Sequence, residues 1–292
     1  MRLNEVKYYV IIILSMFIFS FWGIIANVFR YPVFELLFVV HFAGIFVGLF
    51  YSIYNKEKLH NLFRISKTTI LISFTLISDI FFLILAYRQI NMATAITLHY
   101  LAPLLIPVFA VLFLKEKINI KYYLPIAFLG FLGTLLISIG NVVINPLGLF
   151  YGVMSGITLA LIIVLQKRNT VNNKISMLIF QYSLVQASTD LFFGLLLGQI
   201  HPVFNISLLY LFLAGLAVRT GSFMYNYALK YVEVTTASIL AYLEVVLTII
   251  YGYVIFRQVI SIYDIIGIIL ILLAGVFVVI KKVDLEEVVE EY

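Results

Sequence analysis

The sequence predicts an all-α integral membrane protein of ten transmembrane helices, arranged as two inverted five-helix repeats. Hydrophobic residues make up 64% of the 292 residues and charged residues only 11%, with a mean hydropathy of +1.12. A soluble domain carries about 25% charged residues. Ten stretches are apolar enough to cross a bilayer, and one segment recurs half a chain later. These three observations together predict the fold class.

The ten apolar stretches follow one another with short gaps, most of which contain Lys, Arg, Asn or Pro. A spanning helix needs about 20 apolar residues. The predicted spans are residues 8–29, 33–54, 68–87, 92–114, 121–139, 147–166, 175–197, 207–229, 234–256 and 262–280. No small-residue cleavage site follows the basic N-terminus, so the first span is predicted to be retained rather than removed as a signal peptide.

An internal repeat relates the two halves of the chain. Segment 86–120 aligns without a gap with segment 228–262, and nine of the 35 positions are identical. Lys115 aligns with Arg257 near the ends of the two segments. The offset of 142 residues is about half the chain, which indicates a duplicated unit.

The duplication divides the chain into units of five predicted spans. We expect one repeat at 1–141, a second at 142–282 and an acidic cytoplasmic tail at 283–292. Because five is odd, the second repeat enters the membrane in the opposite orientation, a common plan of secondary transporters.

The distribution of Lys and Arg predicts the orientation of the chain. With a cytoplasmic N-terminus, 15 of the 19 basic residues lie on the cytoplasmic side and three on the other, while Arg219 lies inside a span. Cytoplasmic loops are enriched in Lys and Arg. We therefore expect both termini in the cytoplasm and the protein in the plasma membrane.

Several segments resemble a known family. Segment 21–27 (FWGIIAN) resembles the WG-x-N pattern of the drug/metabolite transporter superfamily, EamA type. Segments 86–116 and 228–244 resemble the fourth-helix and ninth-helix signatures of that family. The similarity covers nearly the whole chain and implies ten spans in paired domains, together with the transport of a small metabolite such as an amino acid.

The chain departs from the family pattern at a proline. The family often has Leu-Glu-Pro in the ninth helix, where this chain has Leu243, Glu244 and Val245. The proline is present only in the first copy, as Pro103. If this proline loosens its helix, the first half is expected to do more of the bending. Pro103 and Pro107 are the predicted gating residues, because each removes a backbone hydrogen bond.

Charged or titratable side chains inside spans have a high free-energy cost, so they usually have a structural or functional role. Six residues qualify: His41, Asp79, His99, Asp190, Arg219 and Glu244. Glu35 lies near a helix end, so it is expected to reach the interface by snorkelling. For His41 and Asp190, which lie in the outer parts of their spans, a rim or packing role is expected.

Residue counts along the predicted hairpins give the depth of the other four. Arg219 and Glu244 are equally far from the turn near residues 231–232, about ten residues from the helix end. At 1.5 Å per residue this is ~15 Å, half of the ~30 Å hydrocarbon core. Asp79 and His99 lie at a similar depth around the turn near residues 89–90. Each pair is therefore predicted to meet near the midplane.

Two interpretations of these pairs remain open. They form structural ion pairs that neutralise each other inside the bundle, or they border a polar cavity and bind substrate or a proton. Asp79 and His99 are the predicted proton-coupling residues, since a histidine near a carboxylate can titrate around neutral pH.

The remaining site predictions concern aromatic, amide and small residues. Trp22, Asn27, Tyr100, Tyr225 and Tyr242 can add stacking and hydrogen bonds, although the same residue types are common in packing. The predicted substrate-binding set is Trp22, Asn27, Asp79, His99, Tyr100, Arg219, Tyr225, Tyr242 and Glu244. Glycine stripes at 148, 152 and 156, and at 44 and 48, predict close packing within the monomer, with a homodimer as the alternative.

The sequence argues against several other classes of function. It contains no cysteine, no zinc-protease, serine-hydrolase or Walker A motif, and no nucleotide-binding domain. We therefore expect no catalytic residues, no metal and no cofactor, and we expect the bilayer and a small-molecule substrate, but no nucleic acid, as partners. A secondary transporter is favoured over an intramembrane enzyme acting on lipid-linked substrates and over a channel or uniporter.

Overall fold

The fold is known from a computed structural model, which describes residues 3–90, 92–115, 119–139, 145–201, 205–257 and 260–290. All regular structure in these residues is helical. The α-helices are α1 (Leu3–Phe19), α2 (Phe21–Val28), α3 (Val33–Tyr54), α4 (Lys67–Gln89), α5 (Met92–His99), α6 (Ala102–Phe109), α7 (Ile120–Ile139), α8 (Pro146–Asn172), α9 (Ile175–Leu196), α10 (Ile206–Leu229), α11 (Val234–Leu240), α12 (Leu243–Phe256) and α13 (Ile262–Glu290). A 3₁₀ turn at Leu59–Phe63 and a π-helical turn at Ala110–Leu114 complete the described elements.

Nine segments of the described chain are helical, long and apolar enough to cross a membrane. They match nine of the predicted spans to within a few residues, so the chain is a multi-pass membrane protein. The predicted seventh span forms α9, which has 22 residues but is not among the nine. Gln181, Gln186 and Asp190 interrupt its apolar character, and all three are buried. The count of ten spans therefore depends on whether α9 also crosses the bilayer.

The last helix extends beyond the predicted tenth span. The apolar segment ends at Ile280, but α13 continues to Glu290. The backbone of the predicted acidic tail is therefore helical as far as the described residues go.

The fourth and ninth spans are each broken near the middle. The break between α5 and α6 falls at residues 100–101, and the break between α11 and α12 at residues 241–242. Pro103 accounts for the first break because it has no N–H for the carbonyl one turn earlier. At the second break Val245 occupies the equivalent position, and its N–H donates to the Tyr242 carbonyl at 3.0 Å, three residues back. Both halves therefore break at the equivalent tyrosines, Tyr100 and Tyr242, with or without proline.

The repeat extends to the backbone conformation at helix ends. Four described residues have positive φ, and they form two pairs 142 positions apart. Lys56 (φ 52°) pairs with Gly198 (φ 62°) after α3 and α9, and Lys115 (φ 56°) pairs with Arg257 (φ 53°) after spans four and nine. A left-handed residue is a common way to end a helix. The duplicated halves thus end equivalent spans in the same way.

Contacts between the halves are reciprocal. The Glu57 Oε1 atom accepts a 2.6 Å hydrogen bond from the Ser176 hydroxyl. The Gln199 Oε1 atom accepts a 3.3 Å hydrogen bond from the backbone N–H of Phe34. Gln199 lies 142 positions after Glu57, and Ser176 lies 142 positions after Phe34. Such exchanged pairs are characteristic of a two-fold relation between the halves.

Glycines allow the helices of the two halves to approach closely. A Cβ atom on Gly156 would lie 2.5 Å from the Leu98 carbonyl oxygen, so α8 packs directly on the break in span four. Gly44 and Gly48 similarly adjoin Ser183 and the Phe180 backbone of α9. The predicted use of both glycine stripes for packing within the monomer is confirmed.

Candidate functional site

A cavity of about 110 Å³ lies between helices of both halves. A buried water needs about 10–15 Å³ of such space, so the cavity can hold several waters or a small solute. Apolar side chains of α1, α4 and α8 form much of its wall. The polar and aromatic residues that line it are Phe19, Trp22, Asp79, His99, Tyr100, Gln166, Gln186, Arg219, Ser222, Tyr225, Asn226 and Glu244.

The predicted Asp79–His99 pair is present. The Asp79 Oδ1 and His99 Nδ1 atoms are 3.6 Å apart, and both side chains are buried. The Ser155 hydroxyl lies 3.2 Å from His99 Nδ1, and the Thr158 hydroxyl donates to Asp79 Oδ1 at 3.5 Å. The hairpin count therefore correctly placed the two residues at the same level, and both line the cavity.

The predicted contact between Arg219 and Glu244 is wrong. Both residues line the cavity, but the structure contains no ion pair between them. The Tyr100 hydroxyl instead donates a 2.7 Å hydrogen bond to Glu244 Oε2. The residue count brought both side chains to the same cavity, but it did not fix their directions around the helix axes.

Two other predicted substrate residues lie outside the cavity lining. The Asn27 amide donates to the Gly23 carbonyl at 2.8 Å and to Met92 Sδ at 2.9 Å. The Tyr242 hydroxyl donates to the Ala127 carbonyl at 2.9 Å. Since these polar atoms already have partners within the helix bundle, their positions correspond to packing roles. The other seven predicted residues, Trp22, Asp79, His99, Tyr100, Arg219, Tyr225 and Glu244, line the cavity.

Several polar atoms around the cavity have no hydrogen-bond partner in the described part of the chain. They are Arg219 Nε, Tyr225 Oη, Asn226 Oδ1 and Gln186 Oε1. Leaving a buried polar group unpaired costs about 1–3 kcal/mol. Water or a polar solute in the cavity could provide the missing partners.

Four neutral polar residues of the cavity, Gln166, Gln186, Ser222 and Asn226, were not predicted from the sequence. The sequence does contain a pattern that indicates two of them. On α10 the polar residues Arg219, Ser222 and Asn226 follow one another at spacings of three and four residues. Such spacing places side chains on one face of a helix.

The ionisable cavity residues interrupt the symmetry of the repeat. Each has a small or apolar residue at the position 142 residues away in the other half. The pairs are Asp79 with Gly221, His99 with Ala241, Ile77 with Arg219, and Ala102 with Glu244. The two halves therefore supply similar helices but different charges.

A second histidine–carboxylate pair lies outside the cavity lining. His41 Nδ1 and Asp190 Oδ2 are 2.5 Å apart, between α3 and α9, and both side chains are completely buried. Of the two predicted roles, rim or packing, this burial between helices agrees with packing. Glu35, predicted to snorkel, is also buried, with its Oε2 atom 2.8 Å from His201 Nδ1.

The two predicted gating prolines lie in α6, and neither is among the residues that line the cavity. Pro103 occupies the first turn of α6 and Pro107 lies inside that helix, which continues into the π-helical turn at Ala110–Leu114. Their role in gating stays a prediction. Within the described ranges, no group of three or more His, Asp or Glu side chains could hold a metal ion.

Comparison with known proteins identifies the family. A search of curated proteins finds no match. A solved structure described as "Crystal structure of protein" superposes with a TM-score of 0.80 at 17% sequence identity, covering 94% of this chain and 98% of that one. This likeness shows a shared fold. The model of the EamA-like transporter family matches residues 6–139 and 146–280. The chain therefore belongs to the EamA-like transporter family.

Proposed function

We propose that the protein is a secondary-active transporter that exports or exchanges a small metabolite, an amino acid or a similar solute. Transport would occur by alternating access around the central cavity, across the plasma membrane, with both termini in the cytoplasm. The observation that carries this proposal is the cavity itself. It lies between the two halves, and charged and unpaired polar groups line it.

The arrangement of charges favours a solute with both a positive and a negative group. Arg219 is a hydrogen-bond donor for a carboxylate, whereas Asp79 and Glu244 are acceptors for an ammonium group. Trp22 and Phe19 add aromatic surface to the same cavity. An amino acid presents this combination of groups within the size of the cavity.

The repeat supports alternating access as the mechanism. Substrate sites of many secondary transporters lie near the midplane between inverted repeats, beside broken helices. Here both broken spans contribute to the cavity, through His99 and Tyr100 in one half and Ala241 and Glu244 in the other. A movement at either break would therefore change the cavity wall.

Counterflow in proteoliposomes tests transport directly. Vesicles loaded with an unlabelled solute would be exposed to the same labelled solute, using a panel of amino acids, amines, purines and sugars. A transporter accumulates label transiently for its substrate and not for the others. An intramembrane enzyme would instead convert a lipid-linked substrate in detergent, and a channel would show flux without counterflow.

Proton coupling through Asp79 and His99 is a separate expectation. If each access state holds a proton differently at this pair, a pH gradient can drive the cycle. Asp79→Asn should then abolish accumulation against a gradient while leaving exchange intact, because exchange moves no net proton. Flux measured with and without an imposed pH gradient tests this expectation.

Asp190→Asn is the matched control for that variant. It changes a buried carboxyl beside a histidine, but one that does not line the cavity. We expect it to lower the folded yield without altering the response to the pH gradient. A wild-type protein whose flux ignores the gradient would contradict proton coupling and leave an exchanger or a uniporter.

A further inference from the structure

A second concave site lies at one end of the helix bundle, away from the central cavity. It is a groove of about 570 Å³, where α3, α8 and α10 end and α9 begins. Its lining combines one carboxylate, two lysines, amide groups and aromatic rings. Because helix ends meet here, the groove lies at the level where a bilayer gives way to water.

The carboxylate of Glu57 lies inside this groove. The residue is only 8% exposed. Its Oε1 atom accepts a hydrogen bond from the Ser176 hydroxyl at 2.6 Å, and Lys174 Nζ lies 3.8 Å away. Its second oxygen, Oε2, has no hydrogen-bond partner among the described residues. Because Oε2 is itself buried, Glu57 acts on the groove through its negative charge, which favours an ammonium group nearby.

The two lysines give the groove an anion-binding edge. The Lys174 ammonium group lies 3.8 Å from Glu57 Oε1, but its side chain is 64% exposed, so it can also contact an anion at the edge. Lys230 lines the groove from the end of α10. Basic pockets between helix ends bind the phosphate of lipid headgroups.

Aromatic residues form the side of the groove next to α10. Phe223, Tyr227 and Tyr231 line it, and Tyr227 and Tyr231 are substantially exposed. Aromatic rings attract a cation over their faces and are enriched at membrane interfaces. The acyl chains of a bound lipid would lie beside these exposed rings.

The opposite end of the molecule shows that the repeat alone does not create this site. Positions 142 residues away from Glu57 and Lys174 are Gln199 and Pro32. The position equivalent to Tyr231 is Gln89. The carboxylate, a lysine and a tyrosine are therefore found at one end of the two-fold framework and not at the other.

We propose that this groove binds the headgroup of an aminophospholipid of the phosphatidylethanolamine type. Lys174 and Lys230 contact its phosphate, while Glu57 and the aromatic rings receive its ammonium group. The same chemistry is present in free phosphoethanolamine, which is the alternative source of the ligand. By the distribution of basic residues, the groove belongs to the cytoplasmic leaflet.

Native mass spectrometry of the full chain tests this proposal. The probes are dioleoyl phosphatidylethanolamine, phosphatidylglycerol, which lacks the amine, and phosphatidylcholine, which lacks its N–H groups. We expect preferential retention of phosphatidylethanolamine. Loss of a charge-assisted contact in Glu57→Gln or Lys174→Gln should weaken retention about tenfold or more. Gln199→Ala, at the equivalent position of the other half, should leave retention unchanged.

Two further measurements distinguish a lipid ligand from a soluble one, and loss of binding from misfolding of the variant. Displacement of the lipid by millimolar O-phosphoethanolamine would support the headgroup site with a soluble ligand, whereas resistance to displacement supports the lipid. If Glu57→Gln does not elute as a folded protein, Tyr227→Leu replaces it, with the same expected loss. Equal retention of phosphatidylglycerol, or a folded Glu57→Gln that binds as wild type does, would overturn the proposal.

Discussion

Tyr100 and Tyr225 line the same cavity but use their hydroxyl groups differently. The Tyr100 hydroxyl bonds to buried Glu244 at 2.7 Å, whereas the Tyr225 hydroxyl has no partner in the described part of the chain. Tyr100→Phe should therefore destabilise the protein by about 1–3 kcal/mol, because it leaves a buried carboxyl group without its donor. Tyr225→Phe is the matched control and should have little effect. Thermal unfolding in detergent measures both, and equal shifts would contradict this account.

The His41–Asp190 pair gives a second prediction about individual residues. Both partners are completely buried and 2.5 Å apart. Removing one partner should cost about 3–5 kcal/mol if the pair is charged, because the other is left alone in an apolar interior. His41→Leu combined with Asp190→Leu should recover stability relative to either single change. A double-mutant cycle on unfolding midpoints measures this coupling, and simple additivity would show that the two side chains act independently.

Helical geometry allowed the sequence to predict the level of a residue along its helix. A fixed rise per residue placed Asp79 and His99 at one depth, because they share a hairpin. It could not reveal His41 and Asp190 as a pair, since α3 and α9 are distant in sequence and their contact follows from how the halves assemble. The sequence also did not show in which direction each side chain points around its helix axis. For this reason the predicted contact between Arg219 and Glu244 was wrong.

At the scale of helices, α8 packs so closely on the broken fourth span that the contacting glycines of α8 have no room for a side chain. Gly156→Ala would place a Cβ atom 2.5 Å from the Leu98 carbonyl oxygen. Overpacking of this kind costs about 1–3 kcal/mol, so a lower melting temperature is expected. Gly275→Ala on α13 is the control, because nothing lies within 4 Å of its added Cβ. Melting temperatures that fall equally in both variants would contradict a specific contact at α8.

The helices themselves were largely predictable, because long apolar stretches have few alternatives in a bilayer. The breaks were only half predictable. Pro103 indicates the break in the fourth span. The break in the ninth span forms around Tyr242 without a proline. The expectation that the first half alone would bend more has no support in the helix breaks, since both halves share them.

For the whole molecule, inversion of the halves predicts that equivalent loops of the two halves lie on opposite sides of the membrane. Lys58, after α3, and His201, after α9, are both exposed and lie near equivalent positions in the two halves. If the repeats are inverted, Lys58→Cys and His201→Cys should react with an impermeant thiol reagent from opposite sides of the membrane. The natural chain contains no cysteine and therefore supplies an unlabelled background. Reaction of both sites from one side would exclude the inverted topology.

The mismatch between symmetric helices and asymmetric charges has a consequence for stereochemistry. Arg219, Glu244 and the Asp79–His99 pair all line the cavity, and none has a counterpart across the two-fold relation. A solute that contacts all three can be accommodated in one orientation only. Its mirror image cannot place the same three groups against the same three partners. D and L forms of a bound solute should therefore bind this cavity with different affinities.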